Sequence, residues 1–227
     1  MTKKIQNQEE IAVAEAVSKT EKFFEEHGKK VIVALVALLI VFAGGYAYKY
    51  LVLDKNEAAA NELIIKAQDR FKGDDVDYQL VLNGDENGAG LLELIEQYGS
   101  TTAGNIACQY AGICYLRLGE FDNAEKYLKM YDAVGGSVGA LIVDAQNLGL
   151  QGDVQVEKGN YAEAAKLYGK AVKVSENEFT APYYLLKQAQ AHYAAGNKEA
   201  ARECYKAVTE KYSNTLYARE AEGCLGL

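Results

Sequence analysis

A spacing that occurs three times beyond residue 110 sets the strongest limit on how this chain can fold. The stretch AGICYLRLGEFDNAEKYL places Gly112, Tyr115, Gly119, Phe121, Ala124 and Leu128 in an order that returns as Gly152, Gly159, Tyr161, Ala164, Tyr168 and Ala171. It returns again as Ala189, His192, Gly196, Ala201, Tyr205 and Val208. Each copy reads as helix, glycine turn, helix. A small residue in the first helix, Gly112, Gly152 or Ala189, lets an antiparallel neighbour approach closely, and Ala124, Ala164 and Ala201 open the facing side. Gly119, Gly159 and Gly196 are placed to end the first helices in left-handed caps.

Three such copies in order are the marks of the tetratricopeptide repeat. The expected fold is therefore all-α, a tetratricopeptide-repeat solenoid of antiparallel helix pairs. Gly119 and Gly159 lie 40 residues apart and Gly159 and Gly196 lie 37 apart, more than the usual ~34, so longer helices or connections are expected. Repeats are placed near residues 56–98, 105–133, 145–174 and 182–211, with a capping helix over 214–227. The first is degenerate, with Leu63, Ile64, Ala67 and Phe71 on one helical face and Leu91, Leu92, Leu94 and Ile95 on another. Between them, residues 73–90 are rich in Gly, Asp and Asn and are expected to form an exposed loop. Its acidic residues lack the ligand spacing of a calcium loop.

Ahead of this body stands an uncharged apolar run, Val31 to Tyr48, which Leu51, Val52 and Leu53 extend to 23 residues with only Lys49 intervening. A membrane-spanning helix needs about 20. Tyr46, Tyr48 and Tyr50 cluster at one end as an interfacial aromatic belt would. Residues 31–53 are thus expected to be a single transmembrane helix behind a head of residues 1–30. Lys19, Lys22, Lys29 and Lys30 on the head side against Lys49, Lys55 and Lys66 on the other place the head in the cytoplasm. The body then lies on the far side, in a bacterial periplasm. Within the head, the Ser18 to Glu21 spacing resembles a capping box and predicts a helix running through Phe23 and Phe24 towards the membrane.

The head carries six lysines against six acidic residues, so the formal charge of −8 lies beyond it. An acidic body argues against nucleic acid or anionic lipid as its ligand, since both demand basic patches. Cys108 and Cys114, about 9 Å apart along one helix, should not pair with each other. Cys204 and Cys224 fall on neighbouring helices and either pair or remain buried thiols. Neither His27 nor His192 stands in a triad-like or metal-ligating cluster, and no phosphate loop or hydrolase motif is present. The expectation is a non-catalytic chain without cofactor or metal.

The repeat register directs Ile106, Gln109, Ile113 and Leu116 from one first helix into a concave groove. Gln146, Asp153 and Val156 follow from the next, and Tyr183, Leu186, Gln190 and Tyr193 from the third. That surface is apolar and weakly polar. Arg117 apart, it offers almost none of the cations that grip acidic C-terminal tails, so an extended or helical segment of another protein is the expected ligand.

In the order of its parts the chain resembles a known family. EKFFEEHGKKVIVALVALLIVFAGGYAYKY resembles the KxFFxxNGK head, single span and aromatic exit of YfgM-like proteins, with Phe23, Phe24, Gly28 and Lys29 matching and His27 replacing the asparagine. These are ancillary subunits of the SecYEG translocon in the bacterial inner membrane, with a periplasmic tetratricopeptide-like domain after the span. The resemblance implies a partner of translocon subunits and of a periplasmic chaperone, helping secreted clients onward. Envelope-assembly and cell-division scaffolds of the same repeat class are the alternative.

Overall fold

In a computed structural model the chain is described over residues 2–73 and 75–226; before His27, side chains are described only for Ser18, Glu21 and Glu25. It divides into two units, Met1–Lys55 and Asn56–Leu227.

The first unit is helix α1 (Thr2–Tyr48) followed by a π-helical turn, Lys49–Leu53. Ser18 and Glu21 lie inside α1 and do not begin a helix. The Ala-, Glu- and Lys-rich sequence on both sides propagates the helix through them. The Phe23 and Phe24 side chains fall outside the described residues. Ile32, Leu35, Leu39 and Phe42 are exposed, as is every residue from Ile32 to Leu53. An apolar surface running right round a helix finds no stable place in water.

Helix α2 (Asp54–Asp69), which lies in the second unit from Asn56 onward, buries Ala60, Ile64 and Ala67. The segment expected as an exposed loop instead holds a one-and-a-half-turn helix, α3 (Tyr78–Asn83), with Val81 and Leu82 fully buried. Asp77 caps it by accepting the Leu80 N–H at 3.0 Å. Burial of two aliphatic side chains, worth about 1.5–3 kcal/mol each, overrides the turn-forming Gly and Asp on either side. A hairpin follows, with β1 (Gly84–Asp85) antiparallel to β2 (Gly88–Ala89). Arg70 fastens it with hydrogen bonds to the Ala89 and Gly88 carbonyls, both at 3.1 Å, and an ion pair to Asp85 at 2.9 Å. Helix α4 (Leu91–Tyr98) then packs against α3 and against α5 (Thr102–Arg117), sharing one core with α2.

Three helix pairs come next. α5 pairs with α6 (Phe121–Met130), α7 (Val138–Glu157) with α8 (Tyr161–Val174), and α9 (Ala181–Ala194) with α10 (Lys198–Lys211). α11 (Leu216–Cys224) closes the array on α10, burying Ala218 and Ala221. The long repeat spacing resides partly in α7, which has 20 residues and is capped by Ser137, whose hydroxyl accepts the Ala140 N–H.

Gly119, Gly159 and Gly196 have φ of 75°, 76° and 82°. At each, the next residue's N–H reaches back over the turn, Glu120 to the Tyr115 carbonyl, Asn160 to Gln155 and Asn197 to His192, at 2.7–2.9 Å. This closure satisfies a carbonyl that each helix end leaves open. Close approach follows in the pairs. A Cβ on Gly112 would lie 2.5 Å from Leu128 Cγ, and one on Gly152 would lie 2.6 Å from the Tyr168 ring. Ala124, Ala164 and Ala201 are buried opposite.

Polar groups fix the linkers between pairs. Buried Asp144 on α7 accepts the Tyr131 hydroxyl at 2.7 Å and the N–H groups of Val134 and Gly135 at 3.0 and 2.9 Å, holding the α6–α7 connection. Burial alone would raise this carboxyl, but the three donors outweigh it and hold it below its usual value. Glu125 on α6 pairs with Lys129 and, across to the end of α7, with Lys158, each at 2.6 Å. The cysteines are four thiols, with Cys108 and Cys114 buried. Burial pushes Cys114 up to about 12 and Cys204 up to about 11, which leaves both inert.

Gly152→Leu is expected to destabilise the repeat unit by about 1–3 kcal/mol or more, because the Tyr168 ring it meets is itself buried and cannot withdraw. A thermal melt measures this, and an unchanged melting temperature would contradict the close α7–α8 approach. A second expectation concerns acid. The hydrogen bonds from Lys129 and Lys158 hold the Glu125 carboxyl down to about 2 from an ordinary 4.5, so its stabilisation is complete above pH 4.5 and is lost as the pH falls towards about 2. Glu125→Gln should flatten part of the fall in melting temperature over that range.

Candidate functional site

The inner faces of α5, α7 and α9 enclose one cleft of about 800 Å³. Of the residues expected in the groove, it gathers Ile113 and Leu116 from α5, Gln146, Asp153 and Val156 from α7, and Tyr183 and Gln190 from α9. The other four lie elsewhere. Ile106 is half-buried nearer the start of α5, and Gln109 is buried with its Oε1 lacking a partner among the described residues. Leu186 is buried in the C-terminal core with Ala189 and Val208. Tyr193 is exposed at the end of α9, with the Lys198 ammonium 5.6 Å from its ring centre.

The difference on α9 is one of helical phase. From Tyr183, a step of three residues and a step of four fall on opposite sides of the helix line. Leu186 takes the side facing α10 and the core, and the cleft face continues through Lys187, Ala191 and Ala194. Leu186 is apolar and Lys187 charged, so composition alone favours the wrong one for a ligand surface. Leu150, Glu157, Tyr161 and Tyr168 also line the cleft. Leu150 and Glu157 follow Gln146 and Asp153 at intervals of four on α7, which is the signal that would have found them.

Lys187 brings a cation to the cleft wall, and it is already engaged. Its Nζ lies 2.6 Å from Asp153 Oδ1, the same oxygen that accepts the Tyr168 hydroxyl at 2.6 Å. The ammonium also sits 5.4 Å from the Tyr168 ring centre and 5.2 Å from that of Tyr183, within cation–π range. Burial would lower the Lys187 ammonium, but the Asp153 charge more than offsets it and holds it above its ordinary value. Tyr168 is pushed the same way, by burial first and Asp153 second, so its phenol remains a neutral donor. Three helices are joined through one carboxylate oxygen.

Tyr183 is held from behind. Its ring meets Tyr184 edge-on at 4.9 Å and Tyr217 of α11 at 5.7 Å. Tyr184 in turn packs where Gly149 leaves no room for a Cβ. The cleft therefore presents a braced aromatic ring opposite the aliphatic wall of Ile113, Leu116, Leu150 and Val156. Such a surface binds by desolvation and shape.

No Ser, Thr, Cys or His side chain lines this cleft. Among the described residues no group of three or more His, Cys, Asp and Glu side chains could hold a metal ion. His192, outside the cleft on α9, has a buried Nδ1 without a partner among the described residues.

One helix among the described residues, His27–Asp69, is long and apolar enough to cross a membrane. No curated protein matches the chain. Residues 150–214 match the model of the tetratricopeptide repeat family, a stretch that runs from the second half of α7 through α8, α9 and α10. The fold is a tetratricopeptide-repeat solenoid behind an N-terminal apolar helix, an architecture that generally serves protein–protein interaction.

Proposed function

We propose that this chain is a non-catalytic, membrane-anchored scaffold that holds a segment of another protein in the cleft between α5, α7 and α9. The observation that carries this reading is the cleft itself, an apolar and aromatic trough of about 800 Å³ that spans three consecutive first helices. An extended or helical peptide matches such a shape. In this reading residues 31–53 lie in a bacterial inner membrane, the head is cytoplasmic and the repeat unit is periplasmic. The uncharged, exposed run and the lysines at 29 and 30 support it. The resemblance of the head to YfgM-like proteins supports a place beside the Sec translocon, linking it to periplasmic chaperones.

Two measurements test this. A photo-cross-linker at exposed Gln146, in the full chain in native membranes, should capture a discrete partner, and Ile113→Ser with Tyr183→Ser should reduce capture about tenfold, since buried aromatic anchors dominate such interfaces. Translocon or chaperone partners would support the secretion reading, envelope-assembly partners would replace it, and undiminished capture by the folded variant would remove the cleft from recognition. Protease added to intact spheroplasts should digest the repeat unit. Digestion only after permeabilisation would reverse the orientation.

A further inference from the structure

We propose that the cleft selects an uncharged, apolar segment of its partner, and that the Asp153–Lys187 pair sets this preference. The inference rests on the cleft being the binding surface and adds the chemistry of the occupant.

The charges lining the cleft balance. Arg117 and Lys187 stand against Asp153 and Glu157. Arg117 and Glu157 are exposed, so water screens both. The inner pair differs, because the Lys187 and Asp153 side chains are only 25% and 27% exposed and their contact is 2.6 Å. A carboxylate entering the cleft must compete with Asp153 for the ammonium and meets the Asp153 charge as it does so. A cation entering meets Lys187 in the same way. Either would give up its hydration against Ile113, Leu116, Leu150 and Val156 with only the water-screened Arg117 or Glu157 left to receive it. An apolar side chain has no such cost and gains the Tyr183 ring and the aliphatic wall. The same geometry means that removing one member of the pair should turn the cleft into a receptor for the opposite charge.

The experiment is selection of random peptides displayed on phage against the full chain in lipid nanodiscs, with the Ile113→Ser, Tyr183→Ser double variant defining which binders depend on the cleft. Wild-type cleft-dependent binders should be poor in charged residues. Asp153→Asn, which leaves Lys187 without its counterion, should raise Asp and Glu among them about tenfold, in line with the usual strength of a hydrogen bond to a charged group. Lys187→Gln should swing selection to Lys and Arg by a similar factor, and it carries the test should Asp153→Asn fail to give a wild-type helical spectrum. Charged binders on the wild type, or a composition that neither folded variant changes, would overturn the charge preference while leaving the cleft as the binding surface. Binders indifferent to the double variant would overturn both.

Discussion

The arrangement of this molecule depends on how closely paired helices can approach. Gly112 and Gly152 bring the first helix of two pairs against a Leu128 or Tyr168 side chain with no space for a methyl group. Left-handed glycines at the turns reverse the chain within two or three residues. Given those two features, each second helix lies flat on its first, and the next pair stacks on the exposed flank. The concave side is what remains. First helices α5, α7 and α9 line it because each repeat adds one helix to the inner layer and one to the outer.

Close packing of this kind is non-directional along the helix axis, and polar contacts supply the register. Asp144 gathers three donors from the α6–α7 connection, Glu125 ties α6 to the end of α7, and Asp153 ties α7 to α8 and α9. Each carboxylate is at least partly shielded and each has hydrogen-bond donors, which is the condition under which a shielded charge is tolerated. Asn147 adds a fourth tie, donating from Nδ2 to the Leu128 carbonyl at 3.0 Å. Apart from the Asp153–Tyr168 bond inside the α7–α8 pair, these ties fall between repeats.

Much of this was legible in the sequence because it is local. Glycine caps and small residues at fixed offsets reveal helix pairs without knowledge of the partner surface, and the apolar run declares itself by length. What escaped was set by tertiary contact. Tyr78–Asn83 is too short for a periodic signal, and its helix exists because Val81 and Leu82 find a core built by distant residues. On α9 a rotation of one position decided whether Leu186 or Lys187 faced the cleft, and hydrophobicity pointed to the residue that the core takes. Ser18 and Glu21 have the spacing of a cap, yet strong helix formers on both sides carry α1 through them. Gln109 follows the groove spacing but is buried, as is its neighbour Cys108.

The proposed anchoring would change what such a cleft must achieve. With the apolar helix held in a bilayer, the repeat unit meets only partners within reach of that surface, at an effective concentration on the order of millimolar for short tethers. A micromolar or weaker grip on an apolar segment then suffices for high occupancy near the membrane and gives little in solution. Weak capture also permits release, as the proposed scaffold role would require. A neutralised Lys187 fits that demand, because a bare ammonium in a half-buried cleft would hold acidic tails tightly and indiscriminately, whereas desolvation against Tyr183 and an aliphatic wall scales with how much apolar surface the partner presents.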